Sequence, residues 1–139
     1  MVFKQPDTKE FEQVMQLVEE LWLDNETMQP EQFQILSDNG KVIAFGRLRE
    51  YADATELCSV GVIKEFQNRK LGTEMVNHLL SQAKRDVYLV TIVPGFFAKL
   101  GFKPVEKLPA PIQYKFQRCE TEFHVGKPYF AMKWEKKQI

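Results

Sequence analysis

The sequence predicts a mixed α/β fold in which helices flank a mostly antiparallel central sheet. Three observations support this fold class. Strand-like runs joined by tight turns fill much of the first half, an apolar period of four residues then indicates a helix, and a near-continuous apolar run typical of an internal strand follows. Together they predict the element order β-α-β-β-β-α-β-α-β-β within one domain that spans residues 1–139.

The first predicted helix follows a short strand over residues 2–5 that ends at Pro6. Asp7 is a suitable N-cap, and Glu10 stands three residues later, where it completes a capping box. The apolar residues that follow recur at helical spacing and predict one buried stripe, which ends at a core tryptophan: Phe11, Val14, Met15, Val18, Leu21 and Trp22.

The strands that follow are predicted from their turns. Asp38-Asn39-Gly40 is a strong hairpin signal, because Asn and Gly tolerate the positive φ that tight hairpin turns require. Strands are therefore expected over residues 32–37, 41–49 and 54–63. The later elements are a helix, a strand, a short helix capped by Gly101 and two strands separated by a proline-containing loop, over residues 70–85, 87–91, 94–100, 102–105 and 129–134.

Composition and charge restrict the function classes. Nineteen basic residues balance nineteen acidic ones, so neither nucleic acid nor a membrane is an expected partner. The N-terminus has no apolar signal segment, and we expect a soluble, cytoplasmic protein. Two cysteines and two histidines argue against a disulfide framework or a metal centre, and Cys58 is expected to be a buried structural thiol.

The segment over residues 56–73 is the most informative part of the chain. A strand ends near Ile63, a polar loop follows, and Gly72 stands where the next helix begins. Backbone N–H groups at such a helix start can bind an anion, and a pyrophosphate fits the charge of the loop. Its charged residues are three cations and one acid: Lys64, Arg69, Lys70 and Glu65. A solvated turn without a ligand is the alternative, since neither a P-loop nor G-x-G-x-x-G is present.

In this segment the chain resembles the GCN5-related N-acetyltransferases. Their acetyl-coenzyme A signature is a strand that ends in Val, a loop of the form [QR]-x-x-G-x-[GA], and a helix. Here Val62 is followed five residues later by Gln-Asn-Arg-Lys-Leu-Gly over residues 67–72, with the Gln and the last Gly in register. A second landmark, an aromatic pair and then Gly-Phe, is found as Phe-Phe-Ala-Lys-Leu-Gly-Phe over residues 96–102. The resemblance covers nearly the whole chain.

The resemblance implies an acyl-CoA N-acyltransferase fold and a single N-acetyltransferase domain. The implied reaction moves the acetyl group of acetyl-CoA, as co-substrate and without a metal, to a primary amine of a small molecule or amino acid by direct attack. The implied cofactor-binding residues are Val60, Val62, Gln67, Asn68, Arg69, Lys70, Leu71, Gly72, Thr73 and Phe97. The backbone amides of Val60 and Val62 would bind the pantetheine arm as if it were an added strand.

Two residues depart from the family pattern. Lys70 stands where the first loop glycine is usual, which is tolerable if the backbone there stays right-handed. Phe97 stands where many members carry a tyrosine that protonates the leaving thiolate, so another donor or water is expected to serve. The strand over residues 56–62 also resembles the acetyltransferase domain of N-acetylglutamate synthase, although Ile92 stands where that subgroup has Arg.

Similar enzymes often place a carboxylate on this strand that deprotonates the amine through water, and here that residue is Glu56. An exposed strand-end carboxylate without a catalytic role is the equally weighted alternative. In folds of this kind the loop after the first helix and the loop over residues 114–124 border the acceptor site. The acceptor-contact candidates are Asp24, Glu26, Tyr114, Arg118, Glu120 and His124.

Three functions remain open at this point. The leading one is acetyl transfer to a small amine. The second is a non-catalytic acyl-CoA-binding or regulatory module, which Phe97 and Lys70 motivate. The third is acetylation of protein N-termini. The oligomeric state, including a homodimer, is open as well.

Overall fold

The computed structural model describes residues 1–123 and 125–137. Its helices are α1 (Thr8–Glu20), α2 (Leu71–Gln82), α3 (Pro94–Ala98) and α4 (Ala110–Glu122), with short 3₁₀ turns at Pro30–Gln32 and Lys64–Phe66. Its strands are β1 (Val2–Lys4), β2 (Phe33–Asp38), β3 (Lys41–Glu50), β4 (Thr55–Val62), β5 (Val87–Thr91), β6 (Lys103–Pro104) and β7 (Phe130–Trp134). They form a sheet in the order β1-β2-β3-β4-β5-β7-β6. The mixed, mostly antiparallel α/β class is confirmed.

Helix α4 was not expected, because its segment was predicted as a loop between two strands. Its prolines are compatible with a helix, because Pro109 is the N-cap and Pro111 lies in the first turn. A proline in the first turn removes no intrahelical hydrogen bond, since those N–H groups have no partner within the helix. The backbone N–H of Gln113 donates to the carbonyl of Pro109 at 2.9 Å, which starts the helix, and Ile112 is fully buried.

The chain divides into two compact units, each discontinuous in sequence. The first comprises Met1–Arg49 and Leu57–Gln82, and the second comprises Glu50–Glu56 and the residues from Ala83 onward. Strand β4 contributes residues to both. The single domain over residues 1–139 stays a prediction.

The first unit has its core between α1 and the first strands. The predicted capping box is confirmed, since Asp7 Oδ1 accepts from the Glu10 N–H at 2.8 Å and Glu10 Oε1 accepts from the Asp7 N–H at 3.0 Å. The hairpin turn has Asn39 at φ 49° and Gly40 at φ 84°, as its sequence predicts. The buried cluster of this unit comprises Val14, Val18, Phe33, Ile35, Val42 and Phe45.

The prediction that Trp22 belongs to the core is wrong, because its side chain is 94% exposed. Helix α1 ends just before it in a Schellman motif: the N–H of Leu23 donates to the Val18 carbonyl and that of Trp22 to the Glu19 carbonyl. Trp22 takes the left-handed position of this motif, at φ 56°, where glycine is usual. The helical period therefore stops one residue too early to bury the indole.

The second unit joins β5 to two partners. Strand β5 pairs in parallel with the start of β4, with Glu56 opposite Tyr88, and antiparallel with β7 along its whole length. Arg85 holds the turn before β4, since its guanidinium donates to the carbonyls of Tyr51 at 2.6 Å and Ala54 at 2.7 Å.

Within the described residues of the chain, no helix is long and apolar enough to cross a membrane.

Candidate functional site

The end of β4 packs closely against its own unit. A Cβ on Gly61 would lie 2.5 Å from Cζ of Phe45, and one on Gly46 would lie 2.8 Å from Cδ1 of Leu79. A Cβ at position 61 would force the Phe45 ring to shift, and one at position 46 would force the Leu79 side chain to shift, so glycine at both positions permits this packing as it stands. Gly61 therefore lets the end of β4, which precedes the predicted cofactor loop, lie close to Phe45 of β3.

The predicted cofactor loop leads from β4 into α2. The Ile63 N–H donates to the Ile43 carbonyl at 2.9 Å, a 3₁₀ turn follows, and the Gln67 amide donates to the Val62 carbonyl at 3.1 Å. Helix α2 begins at Leu71, and the first hydrogen bond of its ladder runs from the Glu74 N–H to the Lys70 carbonyl.

The N–H groups of the first α2 turn therefore have no carbonyl partner within the helix. They belong to Leu71, Gly72 and Thr73. Together with the positive end of the helix dipole, these donors suit an anion, as the sequence predicts.

The loop cations are exposed, and one of them has an aromatic neighbour. The Arg69 guanidinium lies 4.9 Å from the centre of the Phe66 ring, while Lys64 and Lys70 are exposed. Glu65 pairs with Lys41 at 3.5 Å, which offsets its charge in this loop. The surface is therefore positive where the helix N–H groups begin.

The backbone at Lys70 is left-handed, with φ 63°, and so is that at Asn68, with φ 66°. A side chain at position 70 was expected to be tolerable if the backbone there were right-handed. The backbone is left-handed, so this condition is not met. A glycine would adopt this conformation without steric strain. Lys70 thus retains the backbone geometry of a glycine while adding a charge.

The acidic candidates after α1 belong to the first unit. Asp24 is mostly buried, and its Oδ1 accepts from the Glu26 N–H at 2.9 Å and lies 3.4 Å from Nη2 of Arg47. Glu26 is half exposed and lies 3.9 Å from Nη1 of Arg49. These contacts hold the loop itself, and a role of either carboxylate toward an acceptor stays a prediction.

Glu56 belongs to the second unit and is fully buried. Its Oε1 accepts from the Tyr51 hydroxyl at 2.9 Å, and its Oε2 forms an ion pair with Nζ of Lys115. The alternative of an exposed strand-end carboxylate is therefore wrong. Sequence reasoning missed both partners, because the Tyr51 hydroxyl comes from the turn between β3 and β4 and Lys115 lies on the helix that was predicted as a loop.

Phe97 lies in α3 among aromatic rings. Its ring meets Phe96 edge-on at 4.9 Å and Phe102 at 5.7 Å between ring centres. Phe102 is buried, and Gly101 takes the left-handed conformation, with φ 99°, that ends the short helix. The ring of Phe97 offers no proton donor, as the sequence already implied.

The remaining acceptor candidates lie on α4 or beyond it. Tyr114 is 60% exposed, and the Arg118 guanidinium lies 5.8 Å from its ring centre and 3.2 Å from Oε2 of Glu122. Glu120 is exposed. His124 lies outside the described residues. Three of these candidates are therefore carried by a helix rather than by the loop that the sequence predicted.

The comparison with family models places this chain. A model described as the acetyltransferase (GNAT) family matches residues 3–102. The chain belongs to this family. A relative at the sequence level is the uncharacterized N-acetyltransferase CT2212 of Chlorobaculum tepidum, 29% identical over 80 residues, which are 54% of this chain. The match spans about half the length of that relative, 52%.

Solved structures share the fold. N-acetylglutamate synthase from Neisseria gonorrhoeae, complexed with coenzyme A and N-acetyl-glutamate, superposes with a TM-score of 0.78 at 16% identity and covers 99% of this chain and 35% of its own. Rv2747 from Mycobacterium tuberculosis, in complex with CoA and NLQ, gives 0.77 at 20% identity and covers 99% and 100%. At these identities the likeness concerns the fold alone.

Proposed function

We propose that the protein transfers the acetyl group of acetyl-CoA to the primary amine of a small molecule or amino acid. The observation that carries the proposal is the loop over residues 67–73, where a positively charged turn leads into helix N–H groups without intrahelical partners. Family membership and the CoA named with structures of the same fold support the same donor.

The residues of the loop fit the charges of acetyl-CoA, which supplies the activated acetyl group. The backbone N–H groups of Leu71, Gly72 and Thr73 would bind the pyrophosphate, and the Arg69 and Lys70 side chains would add charge-assisted contacts. The β4 backbone at Val60 and Val62 would pair with the pantetheine arm. Gln67, Asn68 and Phe97 complete the proposed set.

Glu56 is the proposed general base. An amine arrives mostly as an ammonium ion at neutral pH, and it must lose a proton before its lone pair can attack a thioester carbonyl. A water would carry that proton to the carboxylate. Each carboxylate oxygen has lone-pair capacity beyond the hydrogen bonds from Tyr51 and Lys115, and the water would donate to one of these lone pairs.

An amino acid is the first acceptor to test. Structures of the same fold are named with N-acetyl-glutamate or NLQ beside their coenzyme A. We propose that the contacts to the acceptor come from Asp24, Glu26, Tyr114, Arg118, Glu120 and His124. We also propose that the protein acts in the cytoplasm and that the reaction needs no metal.

The test is a thiol-release assay with acetyl-CoA against the proteinogenic amino acids, a polyamine, an aminoglycoside and short peptides. Turnover of free amines supports the proposal, whereas turnover of peptides alone would favour acetylation of protein N-termini. Calorimetry with acetyl-CoA decides the remaining case. Tight binding without turnover of any amine would favour a non-catalytic acyl-CoA-binding module, which the proton-donor-free Phe97 makes a specific alternative.

The loop assignment has its own test in Gly72→Val. A branched side chain in the first turn of α2 should crowd the pyrophosphate and weaken acetyl-CoA binding by about tenfold or more. Asn77→Val is the matched control, because it places the same residue on the exposed face of the same helix, and neither substitution lowers helix propensity appreciably. Equal acetyl-CoA affinity of the two variants would contradict the assignment.

A further inference from the structure

We infer that Arg47 is a positioning residue for acetyl transfer: its buried guanidinium locks the loop after α1 to a kink in β4 at Ser59. The inference rests on the proposed function, because it concerns the geometry of the proposed donor and acceptor elements. Arg47 would touch neither substrate. It would act through the backbone of both elements.

Arg47 is fully buried, which is rare for an arginine, and all of its nitrogens have partners. Nε donates to Oγ of Ser59 at 3.0 Å. Nη1 donates to the carbonyl of Thr27 at 3.3 Å and to Oε1 of Gln32 at 2.8 Å. Nη2 donates to the carbonyl of Asp24 at 3.3 Å and lies 3.4 Å from its Oδ1. One side chain therefore binds both ends of the 24–32 loop and the middle of β4.

Two of these partners have strained backbones. Ser59 has φ 56° inside a strand, and Thr27 has φ 50° inside the loop. Left-handed conformations are unfavourable for residues with a Cβ and persist only where the surroundings hold them. The Ser59 hydroxyl also donates to the Asp24 carbonyl at 2.6 Å, so Ser59, Asp24 and Arg47 form a closed hydrogen-bonded ring.

The position of the kink gives it a consequence for the reaction. Ser59 directly precedes Val60, whose N–H is proposed to bind the pantetheine arm, and a left-handed residue within a strand redirects the N–H groups that follow. The other end of the ring is the loop that carries Asp24 and Glu26, proposed to face the acceptor. Arg47 thus fixes the backbone of the donor strand and that of the acceptor loop together.

The polar ring is not needed to fill the core. A buried guanidinium is costly to desolvate. An apolar side chain at position 47 of β3 would instead pack against Phe33, whose ring centre lies 5.5 Å from the guanidinium carbon. What an apolar residue could not do is bind the carbonyls of two irregular segments. This is the physical reason to assign Arg47 a positioning role.

The experiment compares Arg47→Lys and Ser59→Gly with Ser37→Ala. Lysine keeps the charge but loses the planar fork, and glycine keeps the left-handed backbone of position 59 but loses the hydroxyl. Ser37 is the matched control: it is as buried as Ser59, at 5% exposure each, but donates to Glu10 in a separate network. Each variant is assayed with acetyl-CoA and L-glutamate, or with the best amine of the panel. Amide hydrogen exchange is followed over residues 22–32 and 59–62.

We expect Arg47→Lys to lower kcat/KM by about 10- to 100-fold and Ser59→Gly by about 3- to 10-fold. Both should speed exchange in the two segments, whereas Ser37→Ala should lower the melting temperature and leave the kinetics of the folded enzyme unchanged. Folded Arg47→Lys and Ser59→Gly with wild-type kinetics, or with slower turnover but unchanged exchange, would overturn the inference. A wild-type chain inactive on every amine overturns the proposed function instead, so the two failures are distinguishable.

Discussion

Two buried glutamates, one in each compact unit, have the same kinds of side-chain partner. Glu10 is 2% exposed; its carboxylate lies 2.7 Å from Nζ of Lys4 and accepts from the Ser37 hydroxyl at 2.8 Å. Glu56 is fully buried, and a lysine, Lys115, and a hydroxyl are likewise among its side-chain partners.

The difference lies in the backbone. Glu10 also accepts from the Asp7 N–H and completes the cap of α1, so its geometry follows from the local sequence. The contacts described for Glu56 come from side chains, and one of them reaches from a helix 59 residues away. Burial and an ion pair therefore do not distinguish a structural carboxylate from a proposed base; a kinetic measurement does.

The largest expected difference is kinetic. Glu56→Gln should lower kcat/KM by about 10²–10⁴-fold with unchanged acetyl-CoA affinity, the usual share of general-base catalysis. The loss should shrink as pH rises toward the pKa of the acceptor amine, because more acceptor then arrives neutral. Glu10→Gln is the control and should leave kcat/KM unchanged in the folded protein. A loss for Glu56→Gln that is flat with pH and accompanied by a lower melting temperature would mean a structural Glu56.

The two carboxylates should also differ in how much unfolding free energy is lost when the lysine beside each of them is replaced. Lys115 has 18% of its side chain exposed and Lys4 has 39%. Lys115→Met should cost about 3–5 kcal/mol of unfolding free energy, because it removes the charge partner of a buried carboxylate. Lys4→Met should cost about 1 kcal/mol, because Lys4 is partly exposed and the Asp7 N–H and the Ser37 hydroxyl still donate to Glu10. Urea unfolding at neutral pH measures both losses, and equal losses would contradict this reasoning.

The loss of unfolding free energy at acid pH should depend on Glu10. Burial alone would raise its pKa, but the hydrogen bonds from Lys4, from the Asp7 N–H and from Ser37 outweigh it and lower the pKa from 4.5 to about 2. A lowered folded-state pKa contributes stability that is complete above about pH 4.5 and is lost as pH falls to about 2. Because Lys4 is 39% exposed, solvent screens its contact with Glu10, and the contribution to stability is smaller than the full shift implies. Glu10→Gln should remove most of this pH dependence. An unchanged dependence of the unfolding free energy on pH between about 4.5 and 2 would contradict this role of Glu10.

Local signals explain what the sequence could predict. The capping box, the Asn39-Gly40 hairpin and the 67–73 loop each depend on residues close together in the chain, and the structure has these elements where they were expected. Helix α4 was missed because its prolines stand in the first turn, where they do no harm. Trp22 was misassigned because the helix ends there in a left-handed conformation. The sequence would have indicated that end only if glycine stood at position 22.

The tertiary contacts around the candidate site could not be predicted in the same way. The burial of Glu56 depends on Lys115 and Tyr51, and the left-handed backbone of Lys70 and Ser59 depends on surroundings that no motif describes. Arg47 had a weak signal, a lone charge within the apolar run of β3. Its partners come from three other segments, so its role needed the structure.

The outermost strands of the sheet have a consequence for assembly. Strand β1 has three residues and β6 only two, and the two residues of β6 are a lysine and a proline. A proline offers no N–H to an added strand, and a charged side chain opposes its approach. Strands this short provide little template for intermolecular pairing. The sheet is therefore protected against edge-to-edge aggregation, and self-association through the β6 edge would need a different geometry from strand addition.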